Sequence, residues 1–352
     1  MHPFDFKMLP WNVVFGAGSL ASLPARMDEL GLERALVLST PEQRGDAERV
    51  ARLLGARAAG LFSAARMHVP VEVARAAEET ARACDAACTV AIGGGSTTGL
   101  GKALALHADL PLVAIPTTYA GSEMTNIWGL TEDGRKRTGR SLAVLPRLTI
   151  YDAQLSLGLP PAIAGPSALN ALAQAIVNAY DRRTNPVLMN IALEAIAAIA
   201  QALPTVMAAP RDLEARERLL FGAALAGATL GAGVTSLHHR LCHTLGGSCN
   251  TPHAETHAVL LPYTMAFNAP AVPDLMARIA AALGCADAAA GIHDFSTRLG
   301  LPTSLTMLGI GADDLPRIAA LATESAVVNP REVTREGVLE LLHKAWRGAR
   351  PE

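Results

Sequence analysis

The stretch TVAIGGGSTTGLGKALALH, residues 89–107, decides the fold of the first half of this 352-residue chain. Thr89 to Ile92 has the pattern of a buried strand, and a glycine-rich turn, Gly93 to Lys102, leads from it into a helix over Ala103 to His107. Glycines lack the Cβ atom, so backbone N–H groups at a helix N-terminus can approach a phosphate closely. We predict a phosphate-binding loop, with a tight structural turn as the alternative. The residues expected to contact the phosphate are Gly93, Gly94, Gly95 and Ser96.

Short β-branched runs alternate with helical patterns over the first 155 residues. The runs are Trp11–Phe15, Ala35–Ser39, Thr89–Ile92, Leu112–Ile115 and Leu148–Tyr151. This alternation indicates parallel βαβ units, and Val71 to Ala87, preceded by Pro70, is typical of a crossover helix. We therefore predict an α/β dinucleotide-binding domain with a parallel sheet over residues 1–155.

The second half of the chain has a different pattern. After Pro160 and Pro161 the strand patterns end and alanine-rich helical patterns follow. They cover Ser167–Tyr180, Val187–Ala202, Leu213–Ala232, Leu275–Leu283 and Arg335–Arg347. We predict an all-helical domain over residues 156–352. The uncharged stretch Leu219 to Leu237 is nearly long enough to span a bilayer, but its glycines and hydroxyl residues favour a buried core helix.

Composition excludes several classes of function. Half of the residues are hydrophobic, which rules out a mainly disordered chain, and the net charge of −2 gives little support to a nucleic-acid or membrane surface. The five cysteines are scattered and form neither a disulfide framework nor a metal-binding CxxC pattern, which favours a reducing cytoplasm. The N-terminal residues lack the apolar core of a secretory signal. A small-molecule ligand is the expected partner.

A second loop follows the next predicted strand. The sequence PTTYAGSE, residues 116–123, places hydroxyl groups, including those of Thr117 and Thr118, at the carboxyl end of that strand. Ligands of open parallel sheets bind at the carboxyl ends of strands, so both loops are expected to contact one cofactor. Ser39 stands where a dinucleotide site commonly has an acidic residue, so a 2′-phosphate would meet no like charge. We predict that NADH and NADPH are both used.

Two further segments have weaker patterns. FGAG, residues 15–18, is either a third cofactor contact or a plain turn. The basic cluster from Arg135 to Arg140 is either a solvated turn after Asp133 and Gly134, which we favour, or a phosphate clamp. Within this cluster Lys136 is the candidate contact to the cofactor.

Five of the ten histidines lie within twenty residues of one another: His238, His239, His243, His253 and His257. His239 and His243 are four residues apart, so they share one face of a helix, and His253 with His257 repeats that spacing. His238 lies about 100° from His239 on an ideal helix, so the two rings do not face the same ligand equally. Clustered imidazoles favour metal binding or proton transfer near neutral pH.

Together these segments resemble the maleylacetate reductases, a branch of the iron-containing alcohol dehydrogenase and dehydroquinate synthase-like superfamily. The resemblance rests on GGGSTTGLGK, PTTYAGSEMT, IWGLTEDGRKRTGR, HHRLCHTLGG and TPHAETH, which occur in the order of that family. It implies a dehydroquinate synthase-like fold, an active site in a cleft between the two domains, and a homodimer. The implied reaction is NAD(P)H-dependent reduction of the carbon–carbon double bond of maleylacetate to 3-oxoadipate during degradation of aromatic compounds.

The resemblance also places the divalent-metal ligands of the superfamily. Its Asp and His, four residues apart on one helix, fall on Asn170 and Gln174, and its two other histidines fall on His239 and His253. Two of four ligands are thus neutral amides, so we expect no metal. Maleylacetate reductases share the Asn but usually keep the second His, so Gln174 departs from their pattern too.

These positions suggest roles for the remaining candidates. We expect His243 and His253 to donate a hydrogen bond or proton and His239 to support them. Asn170, Gln174, His238 and Tyr119 are expected to contact the substrate, with Thr118 as a further candidate. The alternatives are a related metal-independent oxidoreductase acting on another unsaturated or oxo dicarboxylate, a dehydroquinate synthase-like cyclase, and a non-catalytic nucleotide-binding protein.

Overall fold

A computed structural model describes residues 3–132, 135–181, 184–233 and 235–352. The chain divides into two compact units. The α/β unit comprises Met8–Leu159 with Arg211–Leu220, and the helical unit comprises Pro160–Pro210 and Phe221–Glu352 together with residues 3–7. The division therefore falls at Leu159, near the predicted boundary at residue 155, while Arg211–Leu220 groups with the α/β unit rather than with the helices that follow it.

The α/β unit is built on a six-stranded parallel sheet of order β1-β8-β5-β4-β2-β3. Two further strands, β6 and β7, form a separate antiparallel pair. The strands are β1 Val13–Phe15, β2 Ala35–Leu38, β3 Ala58–Phe62, β4 Cys88–Gly93, β5 Leu112–Pro116, β6 Ile127–Glu132, β7 Arg135–Arg140 and β8 Leu148–Tyr151. The fold class and all five predicted strands are confirmed, with small shifts in their ends.

Three strands were not predicted. The edge strand β3, with the sequence AAGLF, carries two alanines and a glycine, which have low strand propensity. The favoured interpretation of Arg135 to Arg140 as a solvated turn is wrong, because these residues form β7 and pair with β6. Strand β6 also forms a single bridge with Pro70 through Thr131. Asp133 and Gly134, which precede this cluster in the sequence, lie outside the described residues.

Four helices connect these strands: α1 Leu23–Glu29, α2 Arg44–Leu54, α3 Val71–Ala83 and α4 Gly95–His107. The crossover helix α3 is confirmed but ends before Cys84, four residues earlier than predicted. Helix α4 begins at Gly95, so the prediction that the turn continues to Lys102 is wrong. Strand β4 ends at Gly93, so Gly94 alone separates the strand from the helix.

The order of the strands defines one point at which the chain reverses direction across the sheet. From β2 the chain moves outward to β3, whereas from β4 it moves outward in the opposite direction to β5. The carboxyl ends of β2 and β4 therefore flank the topological switch point, where open α/β sheets bind their ligands. Ser39 follows β2, and Gly94 follows β4.

The helical unit contains no strand among the residues described after Pro160. All five predicted helices are confirmed, and α7 and α13 have the predicted bounds. The helices are α5 Pro161–Tyr180, α6 Pro186–Ala208, α7 Leu213–Ala232, α8 Leu237–Cys249, α9 His253–Asn268, α10 Pro273–Leu283, α11 Ala288–Arg298, α12 Leu315–Thr323 and α13 Arg335–Arg347. Helix α5 packs against α6 and α9, and α9 packs against α8. Helices α8 and α9, which carry the clustered histidines, share a hydrophobic core with α12 and α13.

Long apolar segments occur within this unit. The uncharged stretch from Leu219 to Leu237 is divided between α7 and α8, so it is not the single buried helix predicted. Pro186–Ala208 and Pro273–Arg298 are long and apolar enough to span a membrane by length and composition alone. All five cysteines are free thiols, in agreement with the absence of a disulfide pattern.

Candidate active site

The first loop presents backbone donors at the start of α4. Gly94 occupies the position before the helix and has no side chain to cap the first N–H groups, those of Gly95 and Ser96. Gly93 has a φ of +150°, and a Cβ atom there would lie 2.5 Å from Thr97 Oγ1. The turn thus requires glycine at this position, and the uncapped helix start has the chemistry of a phosphate site.

The second loop lies directly beside the first. Gly93 pairs with Pro116 in the sheet, so β4 and β5 end at the same level, and Thr117 N donates to Gly93 O at 3.0 Å. A Cβ atom on Gly94 would lie 3.1 Å from both Thr118 Cγ2 and Thr118 Oγ1. The structure therefore brings together Gly93, Gly94, Thr117 and Thr118, as the sequence predicts for a shared cofactor site.

Sequence reasoning missed Gln43, which precedes α2 and joins both loops. Its Nε2 donates to Thr117 Oγ1 at 2.7 Å, and its Oε1 would lie 2.7 Å from a Cβ atom on Gly93. Ser39 is fully buried, and its hydroxyl lies 2.9 Å from both Thr40 O and Ser63 Oγ. The position after β2 is therefore occupied by neutral groups, and Thr40 is the more exposed of the two residues there.

The FGAG loop has the features of the plain turn. Gly18 N and Leu20 N donate to the carboxylate of Asp152 at 2.9 and 3.1 Å, and Ala17 N donates to Glu217 Oε1 at 3.3 Å. These backbone donors are occupied by carboxylates, and a second anion there would be repelled. Lys136 lies in β7, and its side chain is outside the described part of the chain.

A buried polar cluster supports the PTTYAGSE loop. Lys102 is fully buried, and its Nζ donates to the carbonyl oxygens of Ser122, Thr125 and Ile127 at 2.6 to 2.8 Å. Burial lowers the pKa of this ammonium to about 7, although the nearby Glu123 opposes the shift. Glu123 is also buried and accepts from Tyr151 Oη at 2.8 Å, and burial raises the pKa of its carboxyl group. Every contact of Lys102 is thus made within the protein, and it holds the loop in place.

Tyr119 lies in this loop with its side chain fully buried. Its hydroxyl accepts from Arg216 Nη1 at 2.9 Å, while Arg216 Nη2 donates to Leu159 O at 2.8 Å. Arg216 is itself fully buried, and burial raises the pKa of Tyr119 despite this cation. In this structure Tyr119 therefore contacts Arg216 and presents no surface to a substrate.

The five clustered histidines lie together at the ends of α8 and α9. Asn250 adopts the left-handed conformation with φ +53° after α8 and reverses the chain, so His253 begins α9 beside the preceding helix. The ring of His257 is central, with centroid distances of 4.8 Å to His238, 5.4 Å to His239 and 4.5 Å to His253. The rings of His243 and His253 are stacked at 6.2 Å.

These rings range from the surface to the interior. His243 is exposed and His253 is half-buried, whereas His238, His239 and His257 are buried. Burial lowers the pKa of His239 to about 4, and it lowers the pKa values of His238 and His257 well below 6.5. The inner three rings are therefore neutral imidazoles near neutral pH.

Several buried polar atoms of α5, α8 and α9 have no hydrogen-bond partner among the described residues. They include both ring nitrogens of His239, Nε2 of His257 and Oδ1 of Asn170. Asn170 and Gln174 are buried one turn apart on α5, which packs against α9. Buried polar atoms are rarely left unpaired, and groups that are left so mark a place where a ligand or water binds. Asn170 and His239 thus have the properties expected of ligand-binding residues.

His238 does not have these properties. Its Nδ1 lies 3.0 Å from Thr264 Oγ1 and its Nε2 lies 2.9 Å from His257 Nδ1, so both ring nitrogens are occupied by protein groups. The ring is perpendicular to that of His239, with an interplanar angle of 89°, as the offset on an ideal helix predicts. The expectation that His238 contacts the substrate directly is therefore not supported, because no ring nitrogen remains for it.

His238, Cys242 and His257 also place three metal-ligand atoms within 4.8 Å of one another. The 2.9 Å separation between the two ring nitrogens is that of a hydrogen bond. Two imidazoles on a tetrahedral zinc ion with 2.0 to 2.1 Å bonds would place their nitrogens about 3.3 Å apart. This arrangement is therefore better described as a hydrogen-bonded group than as a metal site.

Comparison with known proteins adds independent information. Residues 10–153 match the family described as "Iron-containing alcohol dehydrogenase". Residues 165–346 match the C-terminal part of the Fe-containing alcohol dehydrogenase family. A maleylacetate reductase from Rhizobium sp. strain MTP-10005 is 53% identical over 352 residues, which is all of both chains.

Solved structures show the same likeness. The structure of a maleylacetate reductase from Agrobacterium tumefaciens superposes with a TM-score of 0.96 at 53% identity, and all of each chain is covered. An iron-containing alcohol dehydrogenase from Corynebacterium glutamicum superposes with a TM-score of 0.95 at 40% identity, covering 100% of this chain and 99% of the other.

Proposed function

The chain belongs to the iron-containing alcohol dehydrogenase family, and we propose that it reduces the carbon–carbon double bond of maleylacetate to give 3-oxoadipate. The observation that carries the proposal is the buried cluster of neutral imidazoles, found in a chain that matches maleylacetate reductases over its full length. The balanced reaction consumes one NAD(P)H and one proton. It belongs to the degradation of aromatic compounds.

The two loops of the α/β unit fit a dinucleotide. The uncapped start of α4 supplies N–H groups for a phosphate, and the absence of side chains at Gly94 and Gly95 permits close approach of the backbone. Gly93, Ser96, Thr117 and Thr118 complete this proposed site, with Ser39 and Lys136 as further candidates. The bound nicotinamide supplies the hydride. Since Ser39 and Thr40 are neutral, we propose that both NADH and NADPH are accepted.

The residues at the superfamily's metal positions fit a divalent ion poorly. The unpaired Oδ1 of Asn170 stands where the superfamily has an aspartate, and Gln174 adds a neutral amide where it has a histidine. The imidazole of His239 is neutral as well. Burying a divalent charge without an anionic ligand is costly, and amide oxygens bind Fe²⁺ or Zn²⁺ weakly. We therefore propose that no metal takes part in the reaction, and none of the steps below depends on one.

Reduction of an enone has a lower demand for charge stabilisation than oxidation of an alcohol. Negative charge develops on an enolate oxygen, which is much less basic than an alkoxide, so hydrogen-bond donors can stabilise it. One donor in a site that excludes water supplies roughly 3 to 4 kcal/mol. His239 and His253 are the proposed donors near the interior, and Asn170 and Gln174 orient the substrate by their amide groups.

The proton that completes the reaction comes from the outer part of the cluster. His243 is exposed and stacked on the half-buried His253, so this pair connects solvent with the buried imidazoles. We propose that His243 and His253 supply the carbon-bound proton and that solvent restores it. An exposed imidazole can exchange protons with water, which a fully buried ring cannot do.

The closest competing function is reduction of another unsaturated or oxo dicarboxylate by the same residues. Gln174 favours it, because this position departs from the pattern that the sequence resembles. A dehydroquinate synthase-like cyclase would require a bound metal, for which Asn170 and Gln174 are poor ligands. The same family likeness leads us to propose a cytoplasmic homodimer.

The deciding experiment follows the absorbance of NADH and of NADPH with purified protein and maleylacetate, and identifies the product. We expect one NAD(P)H to be consumed for each 3-oxoadipate formed. Turnover without net loss of NAD(P)H would instead indicate a cyclase. Faster turnover with a different dicarboxylate would show that this compound, and not maleylacetate, is the preferred substrate.

A further inference from the structure

We infer that Thr264, His238 and His257 form a hydrogen-bond chain of fixed direction that holds His257 with Nδ1 protonated and Nε2 bare. His257 is thereby a positioning residue for His253 and His239, whose rings lie 4.5 and 5.4 Å from it. The effect on catalysis that we expect from this inference rests on the proposed function. The direction of the hydrogen-bond chain can be measured without any substrate.

The first link is set by Thr264 on α9. Its Oγ1 lies 3.1 Å from Leu260 O and 3.0 Å from Leu261 O, which can only accept, and a hydroxyl has one hydrogen. Donation to a carbonyl leaves the hydroxyl oxygen free to accept from His238 Nδ1 at 3.0 Å, so both contacts are satisfied. Donation to His238 would instead leave the contacts to the carbonyls without a hydrogen. The first arrangement makes more hydrogen bonds and therefore requires Nδ1 of His238 to be protonated.

The second link follows because His238 is buried and neutral. A neutral imidazole with Nδ1 protonated has a bare Nε2, which must accept. His257 Nδ1 lies 2.9 Å from that Nε2 and therefore donates to it. Cys242 Sγ lies 3.7 Å from the same Nε2, and burial raises the pKa of this thiol well above 9, so the sulfur also carries a hydrogen. A thiol donor beside Nε2 agrees with this direction and opposes the reverse.

The third link gives His257 its role. With Nδ1 protonated, the neutral ring of His257 has a bare Nε2, and this buried atom has no partner among the described residues. A bare nitrogen accepts a hydrogen bond, so His257 favours an N–H on the neighbouring imidazole or on a ligand at this place. The chain therefore sets which atoms of the cluster accept and which donate before any substrate binds.

The direction can be measured directly. Protein labelled with ¹⁵N in its histidine rings is examined near neutral pH by long-range ¹H–¹⁵N correlation, which distinguishes protonated from bare ring nitrogens. We expect the rings of His238 and His257 to have Nδ1 protonated, and the variants H238Q and H257Q assign their signals. Free imidazoles prefer the opposite tautomer, so a wild-type spectrum with Nε2 of His257 protonated would overturn the inference.

Variants of Thr264 test the consequence for catalysis. T264V removes the acceptor, so both rings should change to the tautomer with Nε2 protonated, and kcat should fall by about 10- to 100-fold with little change in KM. T264S should restore both the tautomers and kcat. The matched control is T256V, because Thr256 is also buried on α9 but bonds to Pro252 O and Thr251 and not to a histidine.

Two results separate this inference from the proposed function. Equal kcat values for T264V and T256V, or tautomers that do not change in T264V, would overturn the inference even if maleylacetate is reduced. Failure of the wild-type protein to reduce maleylacetate would overturn the proposed function, while the tautomers of the resting protein would still test the direction of the chain.

Discussion

The two units of the molecule each bury a group of ionisable side chains, and the two groups differ in one respect. In the α/β unit, the ammonium of Lys102 contacts three carbonyl oxygens and a hydroxyl, and Glu123 accepts from Tyr151. In the helical unit, both nitrogens of His239 and Nε2 of His257 have no partner among the described residues. The first group is satisfied by the protein itself, and the second is not.

This difference separates stability from function. A buried polar group with all of its partners contributes to a single, well-ordered conformation, and its loss leaves several unpaired atoms. A buried polar group without hydrogen-bond partners lowers stability, and such groups occur mainly where they bind a ligand or take part in a reaction. We therefore expect substitutions in the Lys102 cluster to change folding and substitutions in the histidine cluster to change turnover.

The largest expected effect is on stability. K102M removes the ammonium from Glu123 and from its carbonyl partners, so the free energy of unfolding should fall by about 3 to 5 kcal/mol. Denaturant unfolding of the purified variant measures this change. The control is K344M, because Lys344 forms only a solvent-exposed ion pair with Glu340, whose loss should leave the stability nearly unchanged. Equal stabilities of the two variants would contradict the structural role of Lys102.

The next effect is on turnover. H243A should lower kcat by about 10² to 10³-fold, because it removes the exposed end of the proposed proton path. Its stability should change by less than about 0.5 kcal/mol, since His243 is exposed. H107A, which removes an exposed histidine of the α/β unit, should leave kcat unchanged. If H243A also kept its kcat within twofold of the wild type, His243 would have no part in the reaction.

The pH dependence of the free energy of unfolding provides a third test. The pKa of His239 is about 4 in the folded protein and 6.5 ordinarily, so the unfolded chain binds an additional proton between these values. Stability present above about pH 6.5 should therefore be lost as the pH falls towards 4, by about 3 kcal/mol from this residue. H239Q should reduce that loss, as measured by urea unfolding across the same pH range. An unchanged pH dependence would show that His239 is not buried as a neutral ring.

Much of the fold could be predicted because periodicity and glycine placement are local properties of the sequence. The helices α7 and α13 were predicted to the residue, and the glycine-rich turn was placed after the correct strand. Strands β3 and β7 could not be predicted, because alanine, glycine and basic residues adopt extended structure there only through pairing with a neighbouring strand.

The sequence also predicted part of the candidate site, as it did for the fold. The histidine spacing predicted that two pairs of rings share helix faces, and the structure brings all five rings together. The roles of Thr264 and Gln43 depend on contacts with residues distant in the sequence, and no local pattern indicates them. The occupation of both nitrogens of His238 likewise requires knowledge of how α9 packs against α8.

The smallest expected effect is on the choice of cofactor. The neutral residues after β2 should allow NADH and NADPH to be used with kcat/KM values that differ by less than about 100-fold. T40D should shift the preference towards NADH by about tenfold, because a carboxylate favours the ribose hydroxyl and repels a 2′-phosphate. Steady-state kinetics with both cofactors measures the ratio. A wild-type preference for NADH above a hundredfold would contradict this account of Ser39.

The central claim is that neutral imidazoles and amides stabilise the enolate without a metal ion. The most direct measurement is the rate of NADH oxidation with saturating maleylacetate before and after exhaustive treatment with a chelator, and again after addition of Fe²⁺ or Zn²⁺. We expect one rate in all three states. Activity that disappears with the chelator and returns only with the added ion would contradict the claim.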